Sequence, residues 1–300
     1  HYLLTLETPD GAEELHADAL VIATGSRPAP TTAFGHGQAA RVITQEELAR
    51  RLEAGESPGD VVMIQCVESR TEERPYCSRT CCAQAVRHAL RLKEAWPAQQ
   101  VIIVYRDMRA LGRYELDYLA ARRAGVRFIR YEAEQPPQIR ENPAGRWEVE
   151  VTDALLRRPM RLPADTVVLS VGAVPAALPS WLTKLGVKAA ADGFLTPEHP
   201  KMRPLSLGKP GLFACGAVLG PCFAEEAVLQ GQAAAAYTAA YLMERKRRRA
   251  AVQSVAFVNE RLCSGCELCV RACPYEARVM NAEKRVAEVR AEYCAGCGTC

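Results

Sequence analysis

Residues 61–105 have the sequence VVMIQCVESRTEERPYCSRTCCAQAVRHALRLKEAWPAQQVIIVY. Apolar strand patterns alternate here with helical patterns, and the alternation extends to residue 131: strands are predicted over 61–66, 101–105 and 126–131, and helices over about 79–95 and 114–123. Strands that alternate with helices of this length form right-handed crossovers in a parallel sheet. The stretch therefore predicts an α/β fold with a Rossmann-like unit.

The turn after the first of these strands differs from a dinucleotide-binding turn. Such a turn needs glycines that let the backbone approach a pyrophosphate, whereas this chain has Cys66, Cys77, Cys81 and Cys82 there. A helix N-terminus favours anions in general, and an iron–sulfur cube with four thiolates is an anion. We therefore predict a [4Fe–4S] cluster at these four cysteines. Glu68 adds a like charge that disfavours NAD(P)H.

Two other interpretations of these cysteines stay open. Cys77 with Cys81, or the vicinal pair Cys81 and Cys82, would form a redox-active dithiol if a helix N-terminus lowered a thiol pKa. Alternatively, the cysteines are buried and act as small apolar side chains. Their density within so short a stretch favours the cluster.

The C-terminal cysteines give the strongest signal for a metal site. CxxCxxCxxxCP is the spacing of bacterial [4Fe–4S] sites, and the fourth cysteine of each run binds the other cluster. The chain has this run and then repeats CxxCxxC: the cysteines are Cys263, Cys266, Cys269, Cys273, Cys294, Cys297 and Cys300. We expect Cys273 to join the last three, and we expect the missing ligand of the other set about four residues after Cys300. Tetrahedral zinc is the alternative.

Two further segments, VIATGSRP at 21–28 and GLFACGAVLGP at 211–221, flank the Rossmann-like unit, and an alanine-rich helix follows them. Their order resembles the two-dinucleotide-domain flavoproteins, the thioredoxin reductase and glutathione reductase class. The resemblance implies FAD beside Thr24, Gly25, Gly216, Ala217, Glu226 and Ala227. Ala217 stands where that class usually has Asp, so the ribityl contact must differ. The glycine-rich motif for the ADP half of FAD is expected before His1.

These motifs predict three domains. An FAD-binding domain is expected over 1–30 and 172–248, a Rossmann-like inserted domain over 31–171, and a ferredoxin-type domain for two [4Fe–4S] clusters over 250–300. The basic run RKRRR at 245–249 is interpreted as a solvated helix end and linker.

From about residue 19 onward, the chain resembles the A-subunit family of heterodisulfide reductase and its bacterial relatives. The resemblance rests on the segments IQCVESR and YCSRTCC, on VIIVYRDMRALGRYE after them, on the two glycine-ended segments and on the double ferredoxin run. The resemblance implies an oxidoreductase subunit with FAD and several clusters. It also implies electron transfer among ferredoxin, a hydrogenase or dehydrogenase donor and a disulfide-reducing subunit, with the flavin as the point of bifurcation.

Two alternatives of other classes remain. One is an NAD(P)H-dependent flavin oxidoreductase that feeds its own ferredoxin domain, and the other is a zinc-stabilised interaction module. The first requires a glycine-rich loop after the strand at 61–66, and that loop is missing.

Composition limits the other function classes. The chain has 300 residues, 49% hydrophobic and 24% charged, which is ordinary for a globular protein of about two domains. A net charge of +3 indicates neither nucleic acid nor an anionic membrane surface as a partner. No apolar run reaches the roughly 18 residues of a membrane span. Thirteen cysteines without an export signal predict a reducing, cytoplasmic location. Because the chain begins at His1 and stops inside a cysteine motif, we expect a fragment.

Overall fold

The computed structural model describes residues 2–143, 145–250 and 255–300, with side chains except at 247–250. Two compact units divide the chain, His1–Thr238 and Ala239–Cys300. The expected start of the ferredoxin-type domain at 250 adjoins residues 251–254, which lie outside the described residues. The further division of the first unit into an FAD-binding and an inserted domain remains a prediction.

The first unit contains most of the regular structure. Its strands are β1 (Tyr2–Thr8), β2 (Gly11–Ala17), β3 (Leu20–Ile22), β4 (Ser26–Pro28), β5 (Val42–Thr44), β6 (Val61–Val67), β7 (Val101–Tyr105), β8 (Arg127–Arg130), β9 (Gln138–Glu141), β10 (Trp147–Asp153), β11 (Arg158–Ala164), β12 (Thr166–Val171), β13 (Ala173–Pro175) and β14 (Leu212–Ala214). Its helices are α1 (Gln45–Glu53), α2 (Cys81–Ala95), α3 (Tyr114–Arg123) and α4 (Trp181–Lys184). Helix α5 (Ala224–Ala250) begins in the first unit and continues into the second. The second unit also has α6 (Leu268–Ala272), β15 (Arg278–Asn281) and β16 (Val286–Val289).

A five-stranded sheet with the order β5-β12-β6-β7-β8 forms the centre of the first unit. All four neighbouring pairs in it are parallel. Parallel sheets are covered on both faces, so their strands are apolar throughout rather than alternating. Val61, Val62, Met63 and Ile64 of β6 are accordingly all buried. The predicted Rossmann-like unit is thus present.

Different layers cover the two faces of this sheet. On one face, Met63 and Ile103 pack with Val86 and Leu92 of α2. On the other face, Ile64 packs with Val149 of the three-stranded antiparallel sheet formed by β11, β10 and β9. Helix α2 is thereby fixed against β6, and its first turn lies at the carboxyl end of that strand.

Three features differ from the sequence expectation. Strand β9 was not predicted, because its short polar sequence QIRE has little strand character. The pairing of β4 with β13 joins segments far apart in the chain. Helix α5 continues to Ala250 through the basic run, since Lys and Arg are good helix formers and no Gly or Pro interrupts them. No helix in the described part of the chain combines the length and the apolar character that membrane crossing requires.

A buried polar chain lies under α2. His88 Nδ1 is 2.6 Å from Gln45 Oε1, and Gln45 Nε2 donates to Ser170 Oγ at 3.0 Å. Burial, assisted by the nearby Arg91, lowers the pKa of His88 to about 4. The imidazole is therefore neutral in the folded protein and donates from Nδ1 to Gln45.

The low pKa of His88 predicts that the protein loses stability in acid. Its folded pKa is below its unfolded value, so the unfolded chain binds more protons between these pKa values and stability falls as the pH falls. From pH 7 to pH 5, His88 lowers the free energy of unfolding by about 2 kcal/mol. Denaturant titrations under argon at both pH values measure this change. His88→Gln should show a weaker pH dependence, while the exposed control His16→Gln should match the parent protein; equal pH dependence in all three would refute the assignment.

Candidate cluster and flavin sites

The loop between β6 and α2 has an unusual backbone. Three of its non-glycine residues have left-handed φ angles, Glu68 (47°), Arg70 (62°) and Arg79 (59°), and so does Cys66 (62°) near the end of β6. Such conformations cost free energy at each residue and cluster at functional sites, where the surrounding structure holds them. The strain therefore marks this loop as a candidate site.

The structure brings the four predicted cysteines of this corner together. Cys81 and Cys82 are buried and Cys66 and Cys77 are half-buried. Burial, together with the neighbouring Cys82 and Cys77, raises the pKa of Cys66. A hydrogen bond to Cys82 raises the pKa of Cys81, and burial with the nearby Cys66 and Cys77 raises it further. Each thiol is therefore within electrostatic reach of others in the set.

Hydrogen-bond donors and cations surround these sulfurs. The Arg79 N–H donates to Cys77 Sγ at 3.3 Å. Arg70 Nη1 lies 2.7 Å from Asp107 Oδ2, and the positive charge of its guanidinium acts on Cys66 and opposes the rise in the pKa of that thiol. Arg106 lies near enough to oppose the rise in the pKa of Cys66. Thiolates in an iron–sulfur site accept hydrogen bonds and carry net negative charge, so the residues present fit a [4Fe–4S] group.

A single metal ion and a [4Fe–4S] cube need different arrangements of their ligands. In the described ranges, no three His, Cys, Asp or Glu side chains are arranged to hold one ion. In a [4Fe–4S] cluster the four thiolates bind four separate iron atoms and enclose the whole cube. The cube therefore needs four thiols around one space rather than four ligands at one point.

Arg79 connects this loop to the start of α5. Its Nη2 lies 2.7 Å from Glu226 Oε1, and its Nη1 donates to the Pro221 carbonyl at 3.3 Å. The guanidinium lies 5.4 Å from the centroid of the Phe223 ring. Glu226 Oε2 accepts the Phe223 N–H at 2.7 Å. The cysteine loop thus lies against the helix N-terminus that is expected near the flavin.

The two glycine-ended segments lie at one edge of the fold. β3 pairs in parallel with β14, and the Cys215 N–H donates to the Ile22 carbonyl at 3.0 Å. Because parallel strands end at the same edge, Thr24 and Gly25 lie at the same end of the pair as Gly216 and Ala217, and Gly25 and Gly216 have φ angles of 73° and 77°. Left-handed glycines without a Cβ let a ligand approach the backbone closely.

Helix α5 begins beside this edge. A Cβ on Gly216 would lie 3.8 Å from the Cβ of Ala227, so the helix packs close to the turn. The Gly216 N–H donates to Gln230 Oε1 at 2.7 Å. Gln230 was not predicted as a site residue, because one glutamine in an alanine-rich helix gives no spacing signal. The predicted flavin residues are therefore on adjoining segments and fit a dinucleotide.

The second unit places Cys273 with the last three cysteines. A small cavity, partly open to solvent, is lined in part by Cys273, Cys294, Cys297 and Cys300. This is the set expected from the crossed pattern. Cys263, Cys266 and Cys269 are not among the residues that line it. A short antiparallel hairpin, β15 paired with β16, lies between the two runs.

Backbone N–H groups donate to the sulfurs of two of these cysteines. The Ala256 N–H donates to Cys294 Sγ at 3.4 Å, and this bond lowers the pKa of Cys294. The Ala287 N–H donates to Cys263 Sγ at 3.4 Å. Gly265 has φ of 70°, and a Cβ there would lie 2.7 Å from the Arg285 carbonyl oxygen. Glycine is therefore required in the loop between Cys263 and Cys266.

Comparison with known proteins identifies a 4Fe-4S binding domain and relatives of the whole chain. The model of the 4Fe-4S binding domain family matches residues 256–279. The A-subunit of H(2):CoB-CoM heterodisulfide,ferredoxin reductase from Methanothermobacter thermautotrophicus is 34% identical over 288 residues, covering 88% of this chain and 42% of that protein. The second iron-sulfur A-subunit of CoB--CoM heterodisulfide reductase from Methanopyrus kandleri is 37% identical over 294 residues, covering 90% and 44%. The chain spans less than half the length of these relatives.

Solved structures show the fold. The HOCl-induced flavoprotein disulfide reductase of Escherichia coli aligns with a TM-score of 0.52 at 17% identity, covering 77% of this chain and 46% of that chain. The thioredoxin reductase of T. acidophilum aligns with a TM-score of 0.51 at 19% identity, covering 80% and 69%. The core fold is that of the flavoprotein disulfide reductases, followed by a 4Fe-4S binding domain. Over the residues that the relatives cover, the chain belongs to the A-subunit family of heterodisulfide reductase.

Proposed function

We propose that this chain is the FAD- and iron–sulfur-containing electron-transfer part of a heterodisulfide reductase-like complex. Its partners in this proposal are a hydrogenase or dehydrogenase donor, ferredoxin and a separate disulfide-reducing subunit in the cytoplasm. A bound flavin supplies the conversion between electron pairs and the single electrons that clusters carry, with bifurcation between ferredoxin and the disulfide-reducing partner. The relatives named as reductases of CoB-CoM heterodisulfide support this assignment.

The contact of Arg79 with the start of α5 carries the proposal. Arg79 lies in the loop between Cys77 and Cys81, and it forms a 2.7 Å ion pair with Glu226. Electron transfer requires the two redox groups to be neighbours. The ion pair supports such an arrangement, because it joins the loop of the cysteines to the helix beside which the flavin is proposed to bind.

The chain's own residues have separate tasks in this arrangement. Cys66, Cys77, Cys81 and Cys82 would hold the inner cluster, and the Arg79 N–H stabilises the Cys77 sulfur. Gly25 and Gly216 leave space for the dinucleotide at the strand ends. Cys81 and Cys82 are buried, so the cluster that they would hold would be shielded from water at these two ligands.

One observation favours a second candidate, a thiol–disulfide exchange enzyme. The Cys81 thiol is hydrogen-bonded to Cys82, and this bond, with the N–H of Arg109 and its charge, lowers the pKa of Cys82 to about 7 despite burial. A thiol with such a pKa is a competent nucleophile. The iron content of the Cys81 variant considered below separates the two candidates.

The proposal predicts that NADH or NADPH alone leaves the flavin oxidised. The corner where a nicotinamide dinucleotide would bind contains the four cysteines instead of a glycine-rich loop. Anaerobic stopped-flow absorbance near the flavin maximum measures the reduction, and dithionite serves as the positive control for a reducible flavin. Rapid bleaching by NADPH without any partner would instead identify an NAD(P)H-dependent flavin oxidoreductase.

A further inference from the structure

Arg278 is a buried cation in the wall of the C-terminal cavity. It is the first residue of β15 and only 7% exposed. Its Nη2 donates to Cys300 Sγ at 3.1 Å. The side chain therefore contacts one of the four sulfurs that line this cavity.

The other terminal nitrogen of Arg278 lacks a partner. Nη1 is buried and forms no hydrogen bond with any residue in the described ranges. A buried N–H of a charged group without an acceptor costs free energy, and buried charges are normally paired. An unsatisfied buried donor needs an explanation, and a bound anion is one of the few. Because Arg278 also lines the cavity of the four cysteines, an anion bound there would account for the unpaired donor.

The surroundings of Arg278 are thiol-rich. Besides Cys300, Cys269 and Cys294 lie near enough to interact with its charge. A guanidinium stays protonated at any ordinary pH, so Arg278 is charged while it is enclosed. No carboxylate appears among the residues that line the cavity in the described part of the chain.

We propose that Arg278 sets the reduction potential of the cluster that Cys273, Cys294, Cys297 and Cys300 would hold, through the hydrogen bond of Nη2 to the Cys300 sulfur and through its positive charge. One-electron reduction makes the cluster more negative by one charge, so a fixed neighbouring cation stabilises the reduced form. Hydrogen bonds to the sulfurs and net charge are among the factors that set such potentials. The inference rests on the proposed function, which assigns a cluster to these four cysteines.

A redox titration of three variants tests this role. Each protein is purified anaerobically, its iron is quantified, and the cluster signals are followed by EPR as the potential is lowered. Arg278→Gln should retain iron and shift one midpoint to a more negative potential by the equivalent of a tenfold change in the reduced-to-oxidised ratio, about 59 mV for one electron. Arg278→Lys, which keeps the charge, should shift less. The control Arg271→Gln removes a 76% exposed arginine paired with Glu267 and should shift nothing.

The outcomes separate the inference from the proposed function. Unchanged midpoints in an iron-loaded Arg278→Gln protein would overturn the role of Arg278 and leave the cluster assignment intact. If Arg278→Gln loses iron, Arg278→Lys decides: an iron-loaded protein with a more negative midpoint supports the proposal, and an unchanged midpoint or loss of iron refutes it. A parent protein without iron at this site would overturn the proposed function and the inference together.

Discussion

Alanine at Cys81 is expected to remove roughly four iron atoms per chain and to leave the flavin bound. Cys81 is the first residue of α2 and is only 8% exposed, with the other three cysteines of the corner nearby. When a four-iron cube loses a thiolate ligand at a buried position, no ligand from the solvent replaces that thiolate with a bond of equal strength. We therefore expect the whole inner cluster to be lost rather than one iron.

The measurement is iron and flavin per chain after anaerobic purification, together with EPR of the reduced protein. Cys215→Ala is the matched control, because Cys215 is also a buried cysteine of the first unit but packs against Leu205 and Ala234. That variant should keep all its iron. Iron unchanged in both variants would favour the dithiol instead of the cluster.

The second large effect concerns Cys273. Although Cys273 belongs to the run that begins at Cys263, it lines the cavity with Cys294, Cys297 and Cys300. Cys273→Ala should therefore remove the same EPR signal as Cys294→Ala, with a loss of about four iron atoms in each case. The inner cluster and the flavin should be unaffected, since they belong to the other unit.

Cys263→Ala gives the comparison that this prediction needs. Cys263 lies outside the cavity lining, so its loss should affect a different signal from that of Cys273→Ala. If Cys273→Ala and Cys263→Ala instead remove the same signal, and Cys294→Ala another, each run binds its own cluster and the crossed arrangement is wrong.

Local sequence signals predicted much of this fold. The helix over 114–123 and the strand over 101–105 have the predicted bounds in the structure. Thr44 followed by Glu47 three residues later is the sequence signature of a capping box, and the box is formed at the start of α1, with the Thr44 nitrogen 2.6 Å from Glu47 Oε2. These features depend on residues within a few positions of one another, so periodicity and capping chemistry suffice to predict them.

Contacts between segments that are distant in the chain could not be predicted from the sequence. Arg79 and Glu226 form an ion pair across most of the first unit's chain length, and neither has a spacing signal. The Gly216 N–H donates to Gln230, and a Cβ at Gly265 would clash with the Arg285 carbonyl oxygen. Both relations exist only because the tertiary fold brings these groups together. Arg278 likewise shows its role only when the cavity and its unpaired nitrogen are seen together.

An anomalous difference map at the iron absorption edge, from crystals grown anaerobically, tests the central claim most directly. It should contain a four-iron peak enclosed by the sulfurs of Cys66, Cys77, Cys81 and Cys82 at the start of α2. A map without iron at that position, with electron density for a disulfide between two of these cysteines, would contradict the account.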